Sequence, residues 1–416
     1  MTMLDYAKIA AFLAAERKAL HLTQQEVAEK LSVSFQAVSK WENGTLPSLE
    51  ILTELAELYQ CSVDEMIQGR REVSEQFSYR KAGVDISYTD AMKREMAPYL
   101  RSEDPRVLNA MGAFASLYDA SFPDMKHPVL VLKSEEPGSK QKLAMEYGYA
   151  ESICHDMINH LVNDIAVMGA RPLAVLDTIV CGNAEKETIK SFIKGMAEAC
   201  RANGCSLVGG ETSVQPQVVE KGTYILTASV VGIAEKEALI DGSAVREGDA
   251  VLALASNGLH TNGYSLVRML MEKLPQCKLD KIEGETFIEQ IMKPHTSYLA
   301  AIQAALAVGG VHAMAHITGG GIAGNLNRVI PKGLSAQVQV DAIRLLPVFS
   351  YLRRVAKVCD EEMLATFNCG VGLVMVVSPE AEQAIREAVS GYHTCYRIGT
   401  VRRGPEAVRY VGSLQE

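Results

Sequence analysis

Near residue 70 the hydrophobic pattern of the chain changes its period, and this limits the possible folds more than any other feature. Residues 1–68 carry helical spacing and no strand-like alternation, with breaks at His21–Thr23, Ser32–Ser34, Asn43–Pro47 and Cys61–Val63. That spacing predicts five short helices. From about Tyr79, β-rich runs (VLVL, PLAVLDTIV, TYILTASVVGIA, DAVLALA, GVGLVMVVS) alternate with amphipathic helical stretches (TIKSFIKGMAEACRANG, YSLVRMLMEKL, TSYLAAIQAALAV, EAEQAIREAVSG). An all-α module is therefore joined to an α/β body, an α+β multidomain architecture. The polar stretch Gly69–Phe77 reads as a linker. Charge and glycine collect at Glu235–Gly248, between two strands, and mark a second boundary. The expected division is 1–68, a linker at 69–77, 78–240 and 241–416.

Composition excludes several classes. A chain of 416 residues has room for two or three sizeable cores. Its apolar runs, such as Tyr224–Ala234 and Val371–Val377, fall short of the ~20 residues that span a bilayer, so no membrane role is expected. The start MTMLDYAKIA has an early acid and no long apolar core, unlike a signal peptide. Nine cysteines at 61, 154, 181, 200, 205, 277, 359, 369 and 395 form no CxxC pair. They read as reduced thiols of a cytoplasmic protein.

In the first module, TQQEVAEKLSVSFQAVSKWENG places Thr23 as a helix cap and Glu26 three residues on, a capping box. Val27, Ala28 and Leu31 then face inward. A tight turn at Ser32–Ser34 starts a second helix with Ala37, Val38 and Trp41 inside, leaving Ser34, Gln36, Ser39 and Lys40 outside. Two helices joined this way form a helix-turn-helix whose second helix fits a major groove. Gln36 is placed to read a base edge, while Gln24 and Lys40 are placed to hold phosphates. The plain alternative is a docking or dimerisation module. Charge favours that alternative, because residues 1–70 hold six basic and ten acidic side chains, a net of −4. The stretch, with WENG followed by Pro47, resembles the Cro/cI (XRE-type) DNA-binding domain over about sixty residues.

In the body, SYRKAGVDI (78–86), LVNDIAVMGARPLAVLD (161–177), GCSLVGGET (204–212), SNGLHTNGYSLVR (256–268), AHITGGGIAGNLNRVIP (315–331) and FNCGVG (367–372) set glycines, Asn or His beside a carboxylate or a helix start. Singly each has a bland reading. In this order they resemble aminoimidazole ribonucleotide (AIR) synthase, the phosphoribosylformylglycinamidine cyclo-ligase of purine synthesis, from about Ser78 to Val411. The resemblance implies ATP-dependent closure of formylglycinamidine ribonucleotide, with ATP and Mg²⁺ as cofactors. It also implies a homodimer built through the sheets of the first half, which would present two helix-turn-helix units to a palindromic operator.

Closing an imidazole ring from a formamidine requires the formyl oxygen to become a leaving group, which phosphorylation by ATP achieves. The site needs carboxylates for Mg²⁺, donors for phosphates and an acid or base near the amidine. Asp164 and Glu211 are placed as magnesium ligands, with Asn163 and Asp177 as secondary candidates. For Asn163 and Asp164 the plain alternative is helix capping. His260 and Asn262 lie in a loop opening a helix at Tyr264, and the run Gly319, Gly320, Gly321 precedes another helix, both suited to anions. The resemblance places His260, His316 and Lys140 in catalysis and Gly209 and Gly210 in the nucleotide site. For His316 the plain alternative is a core histidine.

One loop departs from the family. Its usual Gly-Thr-Asp-Gly-Val-Gly-Thr-Lys reads KSEEPGSK at 133–140, so Ser134, Gly138, Ser139 and Lys140 match in kind and Glu135 stands at the aspartate position. Glu136 adds negative charge, and Pro137 removes a backbone donor. The family's Arg-Ile-Lys turn reads Glu95, Met96, Ala97. Its glycine-rich loop reads NAMGAFASL, and its Ala-Glu-Met-Pro-Gly reads SVQPQ, with Val214 in place of a carboxylate. Three readings follow: an AIR-synthase-like enzyme tied to DNA, a regulator whose body senses a purine intermediate or nucleotide, and a related ATP-dependent enzyme acting on another amide or amidine.

Overall fold

The computed structural model describes residues 4–71, 78–109 and 113–415. The chain divides into two compact units, Met1–Lys81 and Ala82–Glu416. Most of the expected linker (72–77) and residues 110–112 of the glycine-rich loop lie outside the described residues.

The first unit consists of α1 (Tyr6–Ala19), α2 (Gln24–Lys30), α3 (Phe35–Trp41), α4 (Leu49–Tyr59) and α5 (Val63–Gln68). Its helix starts are set by local chemistry. The Thr23 hydroxyl accepts from the Glu26 amide while the Glu26 carboxylate accepts from the Thr23 amide, and Ser62 and Glu65 repeat the device at α5. Val27, Val38 and Trp41 are buried with Leu13, Leu52 and Tyr59 in one small core. The Arg17 guanidinium donates to both oxygens of Glu42 at 2.6 and 2.9 Å, tying α1 to the end of α3.

The second unit begins with α6 (Ile86–Met96). Glu95 and Met96, expected as a turn, instead end this helix; Met96 is buried and Glu95 pairs with Lys186. The residues of α6 carry a helical apolar period that places Met92 and Met96 on one face. Then come β1 (Pro128–Glu135), α7 (Lys140–Tyr147), α8 (Ser152–Ala166), β2 (Arg171–Cys181), α9 (Lys186–Ala202), β3 (Ser206–Val214) and β4 (Tyr224–Glu235). The strands form a sheet ordered β1-β4-β2-β3, with β2 and β3 parallel and the other pairs antiparallel. Helices α8 and α9 cover one face. The other face leaves Leu130, Leu132, Leu176 and Ile225 exposed.

A second sheet follows. Its strands are β5 (Ala250–Ala255), then, beyond a hairpin of β6 (Lys281–Ile282) and β7 (Glu285–Thr286), β8 (Val311–His316), β9 (Leu334–Gln339), β10 (Val371–Val377), β11 (Cys395–Arg403) and β12 (Val408–Val411). The order is β12-β9-β11-β5-β10-β8. Every residue of β10 is buried, as expected of a continuous apolar strand covered on both faces. Helices α10 (Tyr264–Lys273), α11 (Phe287–Ile291), α12 (Leu299–Val308), α13 (Gly321–Leu326), α14 (Pro347–Val355), α15 (Asp360–Thr366) and α16 (Glu382–Val389) complete the unit. One hydrophobic core runs from Met92 to Leu414. Among the described residues, no helix is long and apolar enough to cross a membrane.

A buried ion pair joins the two sheets' elements. Lys140 opens α7 and is fully buried; its ammonium donates to Asp156 of α8 at 2.8 Å and to the Lys293 carbonyl at 2.7 Å. This corrects the expectation of a catalytic Lys140, because its ammonium faces the interior and two of its three donors are engaged there. Further along α8, Asn159 donates to the His295 carbonyl, and Asn163 bonds both the Thr296 carbonyl and the Tyr298 amide. Asn163 thus neither caps a helix nor faces a ligand; it fastens residues 293–298. Removing one partner of a buried pair strands the other charge. Lys140→Met is expected to cost about 3–5 kcal/mol in urea denaturation, and Lys140→Met combined with Asp156→Leu to regain most of that loss.

Candidate functional site

Residue Asp164 lies in the last turn of α8, where the helix packs on β1. It caps nothing. Its Oδ1 accepts from His316 Nδ1 at 2.7 Å and its Oδ2 lies 3.1 Å from the Lys133 ammonium, which also reaches Glu135 at 2.9 Å. Burial acts to raise the Asp164 pKa, but the His316 bond and the surrounding positive charge outweigh it and hold the carboxyl well below the usual range. Lys133 is raised despite partial burial, because two carboxylates stabilise its charge. Lys133 and Glu135 sit two apart on β1 and share a face.

The expected magnesium set does not converge. Glu135 pairs across the sheet with Ala228, Ala228 with Asp177, and Asp177 with Gly210. That row crosses all four strands, so β3, which carries Glu211, runs roughly 14 Å from β1. Mg²⁺ requires oxygens at about 2.1 Å in near-octahedral geometry. Glu211 cannot join Glu135 in such a sphere within one chain. Between Glu135 and Asp164 an ammonium already takes the cation's place, so these residues as arranged do not fit a magnesium ion. Ser134 is also displaced from its expected role. The strand continues through Glu135, and its two-residue period turns the Ser134 hydroxyl to the opposite face, 2.6 Å from Ser229.

Other expected residues do gather. Gly138, with φ +62°, is next to the Thr261 carbonyl, and Gly319 is next to the Asn262 amide oxygen. The loops 133–140, 256–263 and 317–321 are therefore neighbours. Ser139 precedes α7 without a side-chain cap, Gly320 precedes α13 and Gly321 opens it. The α10 helix opens at Tyr264, and a side chain at Gly263 would run into the Phe367 ring. Asn368 of the FNCGVG run bonds Ser256 and the Gly258 carbonyl, fixing the loop that carries His260. Gly209 and Gly210 lie on β3, where a Cβ at 210 would strike the Asp177 carboxylate. Asp177 is buried, and burial, with Glu211 adding repulsion, pushes its pKa up to about 7.

Four histidines lie together, two of them not anticipated. His295 Nε2 is 2.9 Å from His316 Nε2, His260 stacks on His295 with ring centres 4.0 Å apart, and His160 Nε2 is 3.6 Å from Asp164. Burial, with neighbouring positive charge, pushes His160 down to about 4 and His260 and His295 well below the ordinary range. His160 had a sequence signal, since it precedes Asp164 by four residues and so shares a helix face. His295 had none, because a fold-wide contact brings it in.

In the first unit, Gln36 and Lys40 are exposed on α3 and Ser39 is half-buried. Ser34 caps α3 through its hydroxyl, while Gln24 donates to Glu42 at 2.8 Å, engaging the amide expected to meet a phosphate.

The helix-turn-helix family matches residues 13–66. The N-terminal domain of AIR synthase related proteins matches 128–234 and their C-terminal domain 246–412. A phosphoribosylformylglycinamidine cyclo-ligase of Methylobacillus flagellatus is 41% identical over 327 residues, covering 78% of this chain and 94% of that protein. One of Xanthomonas campestris is 40% identical over 339 residues, covering 80% and 99%. Among solved structures, thiamine-monophosphate kinase from Stenotrophomonas maltophilia has a TM-score of 0.56 at 18% identity, covering 80% of this chain and 98% of that one. E. coli HypE, a hydrogenase maturation protein, has a TM-score of 0.57 at 19% identity, covering 78% and 94%. These structures share the fold.

The raised Asp177 pKa sets a testable pH dependence. Between the ordinary carboxyl value and about 7 the folded state holds a proton that the unfolded state releases, so the carboxyl's contribution to stability falls as pH rises through that window. Asp177→Asn removes this loss. Its stability relative to the wild type is expected to rise by roughly 3 kcal/mol between pH 5 and pH 8, measured by urea denaturation.

Proposed function

The chain belongs to the AIR synthase (phosphoribosylformylglycinamidine cyclo-ligase) family, and from that premise we propose that it is a DNA-binding regulator whose family body binds a purine-pathway nucleotide or intermediate without closing the ring. The observation that carries this reading is the Lys133 ammonium bridging Glu135 and Asp164. A fixed internal cation there occupies the space between the carboxylates that catalysis would need for magnesium. The buried Lys140 and the outward Ser134 support the same reading, since each withholds a group from a phosphorylated substrate. A catalytic centre tolerates misplacement poorly: an error of about 1 Å can cost ~100-fold in rate while binding survives.

Division of labour follows the expected domains: 1–68 reads DNA, 78–240 and 241–416 together hold the ligand. The ligand's anionic groups meet the loops 133–140, 256–263 and 317–321, where Gly138, Ser139, Asn262 and Gly319–Gly321 are placed, with His260 and His316 at its other end. Asp177, Gly209 and Gly210 form the β3 side of the body. The open apolar face of the first sheet, with Leu130, Leu132, Leu176 and Ile225 exposed, supports a homodimer formed through that face. Two first units then address a palindromic operator, and ligand occupancy shifts their spacing.

A second reading, a working ATP- and Mg²⁺-dependent cyclo-ligase with DNA binding as an accessory, draws on the roughly 40% identity to cyclo-ligases over 78–80% of the chain. The two are separated by one experiment. DNA sites are selected from a random pool, and binding is followed by fluorescence anisotropy with and without formylglycinamidine ribonucleotide and ATP, while ADP release is recorded. The regulator reading expects a ligand to change DNA affinity by about 5-fold or more, with no ADP above background. ADP release coupled to aminoimidazole formation would establish the enzyme instead, and DNA binding indifferent to both ligands would remove the sensor. Gln36→Ala is expected to weaken the selected site by about 1–3 kcal/mol and relax its specificity.

A further inference from the structure

The histidine cluster points to a ligand that neither reading above includes. We propose that His260, His295 and His316 form a binding site for a borderline divalent transition-metal ion of the zinc class, supported from behind by Asp164. The three side chains each offer a ring nitrogen within 4.8 Å of the others, and all three are buried.

The geometry has the features of a ligand set. In a tetrahedral zinc site with bonds of 2.0–2.1 Å, nitrogens stand roughly 3.3 Å apart. The His295 and His316 Nε2 atoms, 2.9 Å apart, are already near that separation, so an ion can replace the single proton that now lies between two basic nitrogens. His316 is oriented for this by its Nδ1–H bond to Asp164 at 2.7 Å, the carboxylate–histidine arrangement that fixes tautomer and ring angle in metal centres. Residue 295 is fixed by its backbone, whose amide bonds Asp156 and whose carbonyl accepts from Asn159. The backbone of His260 is held at φ +61°, an uncommon conformation outside glycine, which presents its ring to His295.

An independent observation points to a missing partner. Both ring nitrogens of His260 and Nδ1 of His295 are buried and have no hydrogen-bond partner. A buried polar atom left unpaired costs about 1–3 kcal/mol, and such atoms are rare without a reason. An ion held by His295 and His316 through Nε2 would supply the partner that one of the His260 nitrogens lacks, on the residue type that most often binds zinc. The donor chemistry selects the class of ion: imidazole suits zinc, copper, nickel or iron, whereas Mg²⁺ prefers oxygen ligands. In a different cluster, His127 and Glu237 are exposed and the half-buried Glu235 accepts from the Lys126 and His127 amides. That cluster serves as the control.

The test uses tag-free full-length protein stripped with a chelator. It is loaded with Zn²⁺ and, separately, Co²⁺, desalted, and measured for bound metal by mass spectrometry and for visible cobalt absorption. The expected result is about one ion per chain, undisplaced by excess Mg²⁺, with an intense low-coordinate cobalt spectrum. Asp164→Asn is expected to weaken binding about 10–100-fold, His260→Ala and His295→Ala to weaken it further, and His127→Ala to leave it unchanged. Wild-type protein that retains no zinc after desalting overturns the proposal, whatever the variants do. So does a folded His295→Ala, checked by circular dichroism, that holds as much metal as the wild type.

Discussion

A buried ammonium organises this molecule. Lys140 lies at the junction of α7, α8 and the 293–298 segment, and its bond to Asp156 is one of several that α8 makes to that segment. Burial lowers the Lys140 pKa and pushes Asp156 up to about 6, so each charge persists only because the other is present. Such a pair is a weak source of net stability but a strict geometric condition. It draws the second sheet's connecting segment against the first sheet's helix, and His295 and Tyr298 take their positions from that contact.

A second lysine decides what the neighbouring site can do. Where a strand-end glutamate and the α8 aspartate approach each other, an unoccupied gap would attract a divalent cation. Lys133 fills it with a charge of one that cannot be released to solvent or exchanged, and its stem fixes where that charge sits. The ammonium offsets one of the two carboxylate charges and offers none of the open coordination positions of a metal. In the altered loop Glu135 keeps a carboxylate, and the Lys133 ammonium is paired with it.

Much of this was legible in the residues. The first unit could be read in detail because its determinants are local: a capping box at Thr23 and Glu26, a turn at Ser32–Ser34, and inward positions at helical spacing. The apolar strands β1, β2, β4, β5 and β10 were legible for the same reason, whereas β9, β11 and β12 were not, being short or carrying polar residues in alternation. Asp164, His260 and His316 were expected as site residues from the sequence, and the structure brings Asp164 to His316. What could not be read was set by distant parts of the chain. Lys140 reads as a loop lysine until Asp156 and Lys293 are folded around it. Ser134 reads as a loop hydroxyl until β1 is seen to run on to Glu135. The separation of Glu135 from Glu211 follows from the β1-β4-β2-β3 order, which no local pattern specifies.

These features describe a body with its family's framework and an altered 133–140 loop, in a chain that also carries a helix-turn-helix unit. The most direct check is the magnesium dependence of nucleotide binding. ATP would be titrated calorimetrically into the wild-type protein once with Mg²⁺ and once with EDTA. If Lys133 serves as the resident cation, saturable binding of similar affinity is expected in both. Binding that appears only with Mg²⁺, or no binding in either, would contradict the account.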